Sequence, residues 1–112
     1  DAMLAANHLD ALVSPTMPPA WKIDAANGDQ ISGAGAGGLA AVAGYPHLTV
    51  PMGAVMGLPV GLSLIGPAWS EARLLGYGYA YEQAAKAKVT PRFLPSIEGV
   101  APVAPLLEPL RR

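Results

Sequence analysis

No cysteine occurs among the 112 residues, which excludes disulfides and thiolate metal sites and makes the cytoplasm the expected compartment. Charge is scarce as well, at 13% of residues against the roughly 25% usual in a soluble domain. A small domain leaves a large share of its surface exposed. So little charge predicts that something else covers much of this one: further polypeptide, a second subunit or a membrane. Unbroken apolar runs are missing too, because Gly53, Gly57, Pro59, Gly61, Gly66 and Pro67 interrupt them. A membrane-spanning helix needs about 20 continuous apolar residues, so no span is expected. With a net charge of −1 and no basic run, there is no electrostatic footprint for nucleic acid. No basic segment precedes an apolar core at the start, so no secretory leader is expected, and Asp1 in first place suggests processing or truncation. His8 and His47 are far apart and lack a carboxylate at ligand spacing, so neither a metal nor a cofactor is expected.

What the chain has in quantity is apolar residues, at 52%, punctuated by 13 glycines and 12 prolines. Residues 1–8 read as the end of a helix, and Leu9–Val13 as a short buried strand stopped by Ser14 and Pro15. Pro18, Pro19 and Trp21 predict an extended segment. The stretch from Ala25 to Gly38, polar and then glycine-rich, predicts a long surface loop. Leu39–Ala43 predicts a short helix, with Gly44 as its left-handed cap and Pro46 preventing continuation.

Leu48–Val55 and Val60–Ile65 predict a hairpin around Met56-Gly57-Leu58. Pro51, lacking an N–H, belongs at an edge or an irregular point of the ladder. Alternation puts Val60, Leu62 and Leu64 on one face. The opposite face, with Gly61 and Ser63, has almost no bulk and lets another element approach closely. Ser70 predicts a helix N-cap, with Trp69 and Leu74 at the spacing of a hydrophobic staple. In that helix a small-residue stripe (Ala72, Gly76, Ala80, Gln83, Ala87) is expected to pack closely on the sheet, beside a bulkier one formed by Leu74, Tyr77, Tyr81 and Ala84. Residues 89–112, rich in proline, predict an extended arm.

The candidate chemistry is thin. No serine sits in a G-x-S-x-G elbow. Ser32 precedes the run GAGAGG without a second serine among those glycines, and a flexible or ligand-facing loop is the blander reading. Ser63 reads as a small strand residue. Lys86 and Lys88 suit the negative end of a helix dipole, and Lys22 suits solvent. The glycine run fails as a phosphate loop, because no Gly-Lys-Ser/Thr follows it. Asp29 is a lone acid ahead of that run, for which a solvated turn is the simpler reading. Trp69 is a large aromatic residue between strand and helix, where stapling and lining a cavity are both open to it.

Four segments in order, LDALVSPTMPPAW at 9–21, AAVAGYPHLTVPMG at 40–53, GLPVGLSLIGPAWSEARLL at 57–75 and AYEQAA at 80–85, resemble the C-terminal signature of the amidase signature family. Trp21, Asn27-Gly28-Asp29 and Trp69-Ser70-Glu71 are more similar to the broad amidase branch than to the tRNA-dependent amidotransferase subunit. The resemblance implies an α/β fold: a few strands of a mixed sheet, including a hairpin, with flanking helices. Residues 1–88 would form the C-terminal part of an amidase-like domain, incomplete as a stand-alone unit. It also implies hydrolysis of linear amides by a serine nucleophile, a second serine with a cis peptide bond and a lysine base, through an acyl-enzyme. Those groups belong to segments upstream of the ones matched here, so no catalytic residue is carried over and the chain alone is expected to be inactive. Pocket wall is carried over instead: Trp69 matches a tryptophan that lines the acyl channel in the fatty-acid amide branch. Asp29 roughly matches a substrate-holding acid of the amidotransferase branch, although the glycine loop after it differs in length.

The implied partners are a second subunit or an N-terminal portion, together with a small-molecule amide substrate. Self-association is expected of the isolated chain. The rival reading is a non-catalytic module, derived from an amidase, that binds a small ligand or self-assembles. A hydrolase using Ser32 or Ser63 is a third.

Overall fold

The computed structural model describes residues 1–21, 23–29, 33 and 35–90. Its elements run α1 (Ala2–Ala6), β1 (Leu12–Pro15), α2 (Gly37–Ala43), β2 (His47–Val55), β3 (Leu58–Ile65) and α3 (Glu71–Ala85). The three strands form one antiparallel sheet in the order β1-β3-β2, with β3 central. The expected arm at 89–112 falls almost entirely outside the described residues, as do Lys22 and Ser32.

The β2–β3 hairpin forms as its sequence predicts. Met56 and Gly57 make a two-residue turn with φ of +51° and +79°, both in the left-handed region that glycine adopts freely. Two successive positive φ values match the twist of the flanking strands. Pro51 marks an irregularity: pairing runs Val55↔Leu58, Ala54↔Pro59 and Gly53↔Val60, then resumes one residue out of step at Pro51↔Gly61. Met52 is thus the extra residue of a β-bulge, and Gly53 at φ +135° accommodates the bend. Because side chains alternate along a strand, the one-residue slip decides which β2 residues share a face with Ser63. Without it Val50 would stand opposite Ser63. With it Thr49 does, and His47 pairs with Ile65 on the same face.

Two elements differ from expectation. The first strand lies at Leu12–Pro15 rather than Leu9–Val13, and it is a largely exposed edge rather than a buried strand. Its register is set by Leu12↔Ile65 through Pro15↔Leu62. Pro15 can occupy it because an edge strand does not need every N–H. Second, α3 does not turn its expected small-residue stripe to the sheet. Gly76 is exposed with open space at its Cβ position. The inward line is Leu74, Gly78 and Tyr81, which takes one glycine from outside both expected stripes and two members of the bulkier one. A Cβ at residue 78 would approach Leu48 Cδ2 to 2.5 Å and Val50 Cγ1 to 3.2 Å.

Helix α2 begins at Gly37, slightly earlier than expected, and ends as predicted on Gly44 at φ +71°. Helix α3 closes on Lys86 at φ +47°. At its start, Ser70 occupies the N-cap position without a side-chain capping bond. Its hydroxyl instead donates back to the Pro67 carbonyl at 2.7 Å. The Trp69–Leu74 staple is absent, since Trp69 is 92% exposed while Leu74 is buried.

The apolar core is small. Leu4, Ala40, Val50, Leu64 and Leu74 are buried among the described residues, whereas Ile23, Leu39, Val42, Leu75 and Tyr79 stand largely in solvent. Patches of this kind mark surfaces that are normally covered. The sheet piece therefore has the anatomy of a larger body's edge.

Candidate functional site

The face of β3 opposite α3 carries Gly61 and Ser63, and the structure builds a polar cluster over them. Ser63 is fully buried. His47 Nε2 lies 2.6 Å from Ser63 Oγ, and Ser63 Oγ lies 2.9 Å from Thr16 Oγ1. Each hydroxyl can donate or accept, and the role of Nε2 follows the imidazole tautomer, so His47, Ser63 and Thr16 form a hydrogen-bonded chain that can run in either direction. Thr16 Oγ1 continues the chain toward Thr49 Oγ1 at 3.5 Å. No side-chain polar atom buried among the described residues lacks a partner, so the buried hydroxyl costs little to keep there.

The shape of the cluster follows from the small residues beneath it. A Cβ on residue 61 would meet Thr49 Cγ2 at 2.7 Å and Thr16 Oγ1 at 2.8 Å. The absent side chain of Gly61 is what lets the threonines of the two flanking segments lean inward, the close approach that this face predicts. Thr16 is the hub. Its N–H donates to the Gly61 carbonyl at 2.7 Å, and its own carbonyl accepts from Ala36 N–H at 2.9 Å. The glycine-rich segment is thereby pinned where it enters α2, and the His47 ring lies beside Gly37.

A serine 2.6 Å from a histidine resembles a nucleophile and its base. Here the geometry opposes that role. Ser63 has no exposed surface for a substrate to reach, and its hydroxyl is shared between His47 and Thr16. The cluster is a clamp, not an attacking group. His47, Thr49 and Thr16 were not singled out by sequence reasoning for this role. The usable signal was the alternation of His47 and Thr49, and it points to Ser63 only once the bulge is placed.

Trp69 lies between β3 and α3, at the end of the sheet where Gly66 N–H donates to the Pro46 carbonyl. The ring is 92% exposed and its backbone has φ +62°, a region that L-residues rarely occupy. Below it, Gly66 and Ser70 are buried against each other so closely that a Cβ on Gly66 would collide with Ser70 Oγ. Asp29 lies exposed on the loop before the glycine run. Among the described residues no hydrogen bond joins it to Trp69 or to the Ser63 cluster. The ordered acid of that loop is Asp24 instead. Its carboxylate accepts from Ala26 N–H, Asn27 N–H and Asn27 Nδ2, all at 2.9 Å. The Asn27 side-chain bond, followed by the two backbone bonds, holds its pKa below the ordinary aspartate value. Among the described residues no group of histidines and acids could hold a metal ion. No helix among them is long and apolar enough to cross a membrane.

Comparison with known proteins gives the class. The family profile described as Amidase matches residues 1–75, and the chain belongs to that family, the amidase signature enzymes. The crystal structure of PAM12A aligns at a TM-score of 0.78 and 54% identity over 84% of this chain. The native peptide amidase from Stenotrophomonas maltophilia aligns at 0.66 and 53% over 80%. A glutamyl-tRNA(Gln) amidotransferase subunit from Pseudomonas entomophila (strain L48) is 43% identical over 91 residues, 74% of this chain. The chain spans only 18% of the length of that amidotransferase polypeptide and 18–19% of the chains in those two solved structures. The fold seen here is thus a piece of the amidase signature fold.

Proposed function

We propose that the chain acts as the C-terminal portion of an enzyme that hydrolyses the carbon–nitrogen bond of small amides in the cytoplasm. In this reading it supplies sheet scaffold and one wall of the substrate pocket. The serine, second serine and lysine of the family belong to an N-terminal portion, joined covalently or as a partner subunit. The observation that carries the reading is the match to peptide amidase, 53% identical with the same fold yet confined to 18% of that enzyme's length. The lower identity to the amidotransferase subunit favours an amidase over a tRNA-dependent role.

Trp69 and Asp29 are the proposed substrate contacts. Support for Trp69 comes from a large ring kept out of the core at an unfavourable backbone angle, a combination found where strain serves a site. Support for Asp29 is an exposed carboxylate on a loop whose far end is pinned to the sheet. Residues 89–112 are proposed as an arm laid over the parent enzyme, on their proline content.

The test is a hybrid in which this chain replaces the aligned segment of the S. maltophilia peptide amidase. Ammonia release from primary amides by the hybrid, and none by the 112-residue chain alone, is the expected result. A folded hybrid without activity would instead favour a non-catalytic, ligand-binding or self-assembling module.

A further inference from the structure

We infer that His47 is a positioning residue: through Ser63 and Thr16 it fixes residues 35–37, where the glycine-rich segment enters α2. The inference goes beyond the amidase reading and rests on it only for its kinetic arm. Three observations combine. His47 Nε2 is hydrogen-bonded to Ser63 Oγ at 2.6 Å, and Ser63 Oγ to Thr16 Oγ1 at 2.9 Å. The Thr16 carbonyl then holds Ala36 N–H at 2.9 Å. The His47 ring also lies against Gly37, with Cε1 3.4 Å and Nδ1 3.5 Å from where a Cβ would stand. The loop end is therefore gripped from the strand side by Thr16 and from the ring side by His47. Among the described residues no side-chain hydrogen bond reaches residues 35–37 directly, and the bond to Ala36 is made by the Thr16 backbone carbonyl.

The grip acts as a unit. Removing the imidazole leaves the buried Ser63 hydroxyl short of one partner, and an unsatisfied buried polar group costs more than an exposed one. Ser63 Oγ then keeps Thr16 Oγ1 as its one side-chain partner, and the long contact from Thr16 to Thr49 must readjust with it. The Thr16 backbone stays bonded to Gly61, but the side-chain link that steadies its carbonyl toward Ala36 is loosened, while the hydrophobic side of the sheet, packed on α3, is untouched.

The experiment has two arms. In the peptide amidase hybrid, amide hydrogen exchange is followed for His47→Ala, Ser63→Ala and His47→Gln, whose terminal amide keeps a hydrogen-bonding group near the Nε2 position. His47→Ala and Ser63→Ala are each expected to speed exchange at Ala36 by about tenfold without changing α3. His47→Gln is expected to restore most of the protection. In the peptide amidase hybrid, His47→Ala is expected to raise KM by about fivefold with kcat within about twofold, and the double variant His47→Ala/Ser63→Ala to be no worse than the more damaging single change.

Unchanged protection at Ala36 in His47→Ala, equal acceleration throughout the chain, or no rescue by glutamine would each overturn the inference. An inactive but folded hybrid would count against the amidase reading and leave the exchange result to decide this one.

Discussion

Gly78 on α3 sits directly over Leu48 on β2, so closely that a single added methyl group would come within 2.5 Å of the leucine Cδ2. The helix can lie on the hairpin only because that side chain is absent. Gly78→Ala gains about 1 kcal/mol of helix propensity, yet it must push Leu48 and the stiffer Val50 aside. Overpacking of this kind costs about 1–3 kcal/mol, so a net loss of stability is expected. Gly76→Ala meets open space and should stabilise by about 0.4–1 kcal/mol. Thermal unfolding of the two variants in the hybrid checks this, and the two must move in opposite directions.

Gly61→Ala is the corresponding change on the other face. Its methyl group enters between Thr49 and Thr16, two β-branched residues with little freedom to turn away. A destabilisation of about 1–3 kcal/mol is expected, with the Ala36 amide losing protection alongside.

Trp69 separates stability from function. At 92% exposure its removal leaves no core cavity. Trp69→Ala should therefore change stability by no more than about 0.5 kcal/mol. Trp69→Gly should stabilise by about 1 kcal/mol, because glycine accepts the positive φ without steric cost. Both variants are expected to raise KM in the hybrid for amides with bulky apolar acyl groups more than for small ones. Equal KM changes across acyl sizes would remove Trp69 from the pocket wall.

Asp24 gives the pH dependence. Its folded pKa is lowered, first by the Asn27 side chain and then by the two backbone N–H groups. A carboxylate with a depressed pKa stabilises the fold above its unfolded value and loses that contribution as pH falls through the folded value. The turn at 24–28 should therefore hold at neutral pH and loosen only in strong acid, below the ordinary aspartate range. NMR titration of the Asn27 amide checks this. Asp24→Ala should abolish the transition, and a transition at or above the ordinary aspartate value would contradict the assignment.

The isolated chain should self-associate. Its described core is small, Leu39 and Val42 on α2 are exposed at 81% and 93%, and both outer strands leave backbone groups unpaired. Sedimentation should show species larger than a monomer, growing with concentration. A compact monomer at high concentration would indicate that these faces need no cover.

The parts legible in the sequence were those fixed by local chemistry. Gly57 between two apolar runs points to a tight turn, and Gly44 before Pro46 ends a helix for reasons contained in a few residues. The parts that were not legible depend on register. The Leu9–Val13 run looks like a strand, but β1 is placed by its pairing with β3, which continues to Thr16 and its bond to Gly61. The small residues of α3 lie on more than one line, and the close approach of Leu48 and Val50 selects the one through Gly78, which belongs to neither expected stripe. The cluster around Ser63 was hidden by a single residue: counted straight from the turn, Ser63 faces Val50, and the bulge at Met52 brings Thr49 opposite it and turns His47 to the same face. For the candidate site, Trp69 stood out in sequence, but its exposure at positive φ was not foreseeable from a spacing that suits a staple.

The most direct measurement of the central claim is amide hydrolysis by the hybrid in which this chain replaces the aligned segment of the S. maltophilia peptide amidase. Ammonia release from primary amides is predicted for the hybrid, and none when the host enzyme lacks that segment or when this chain is assayed alone. A well-folded hybrid with no turnover, or serine-dependent turnover by the 112-residue chain alone, would contradict it.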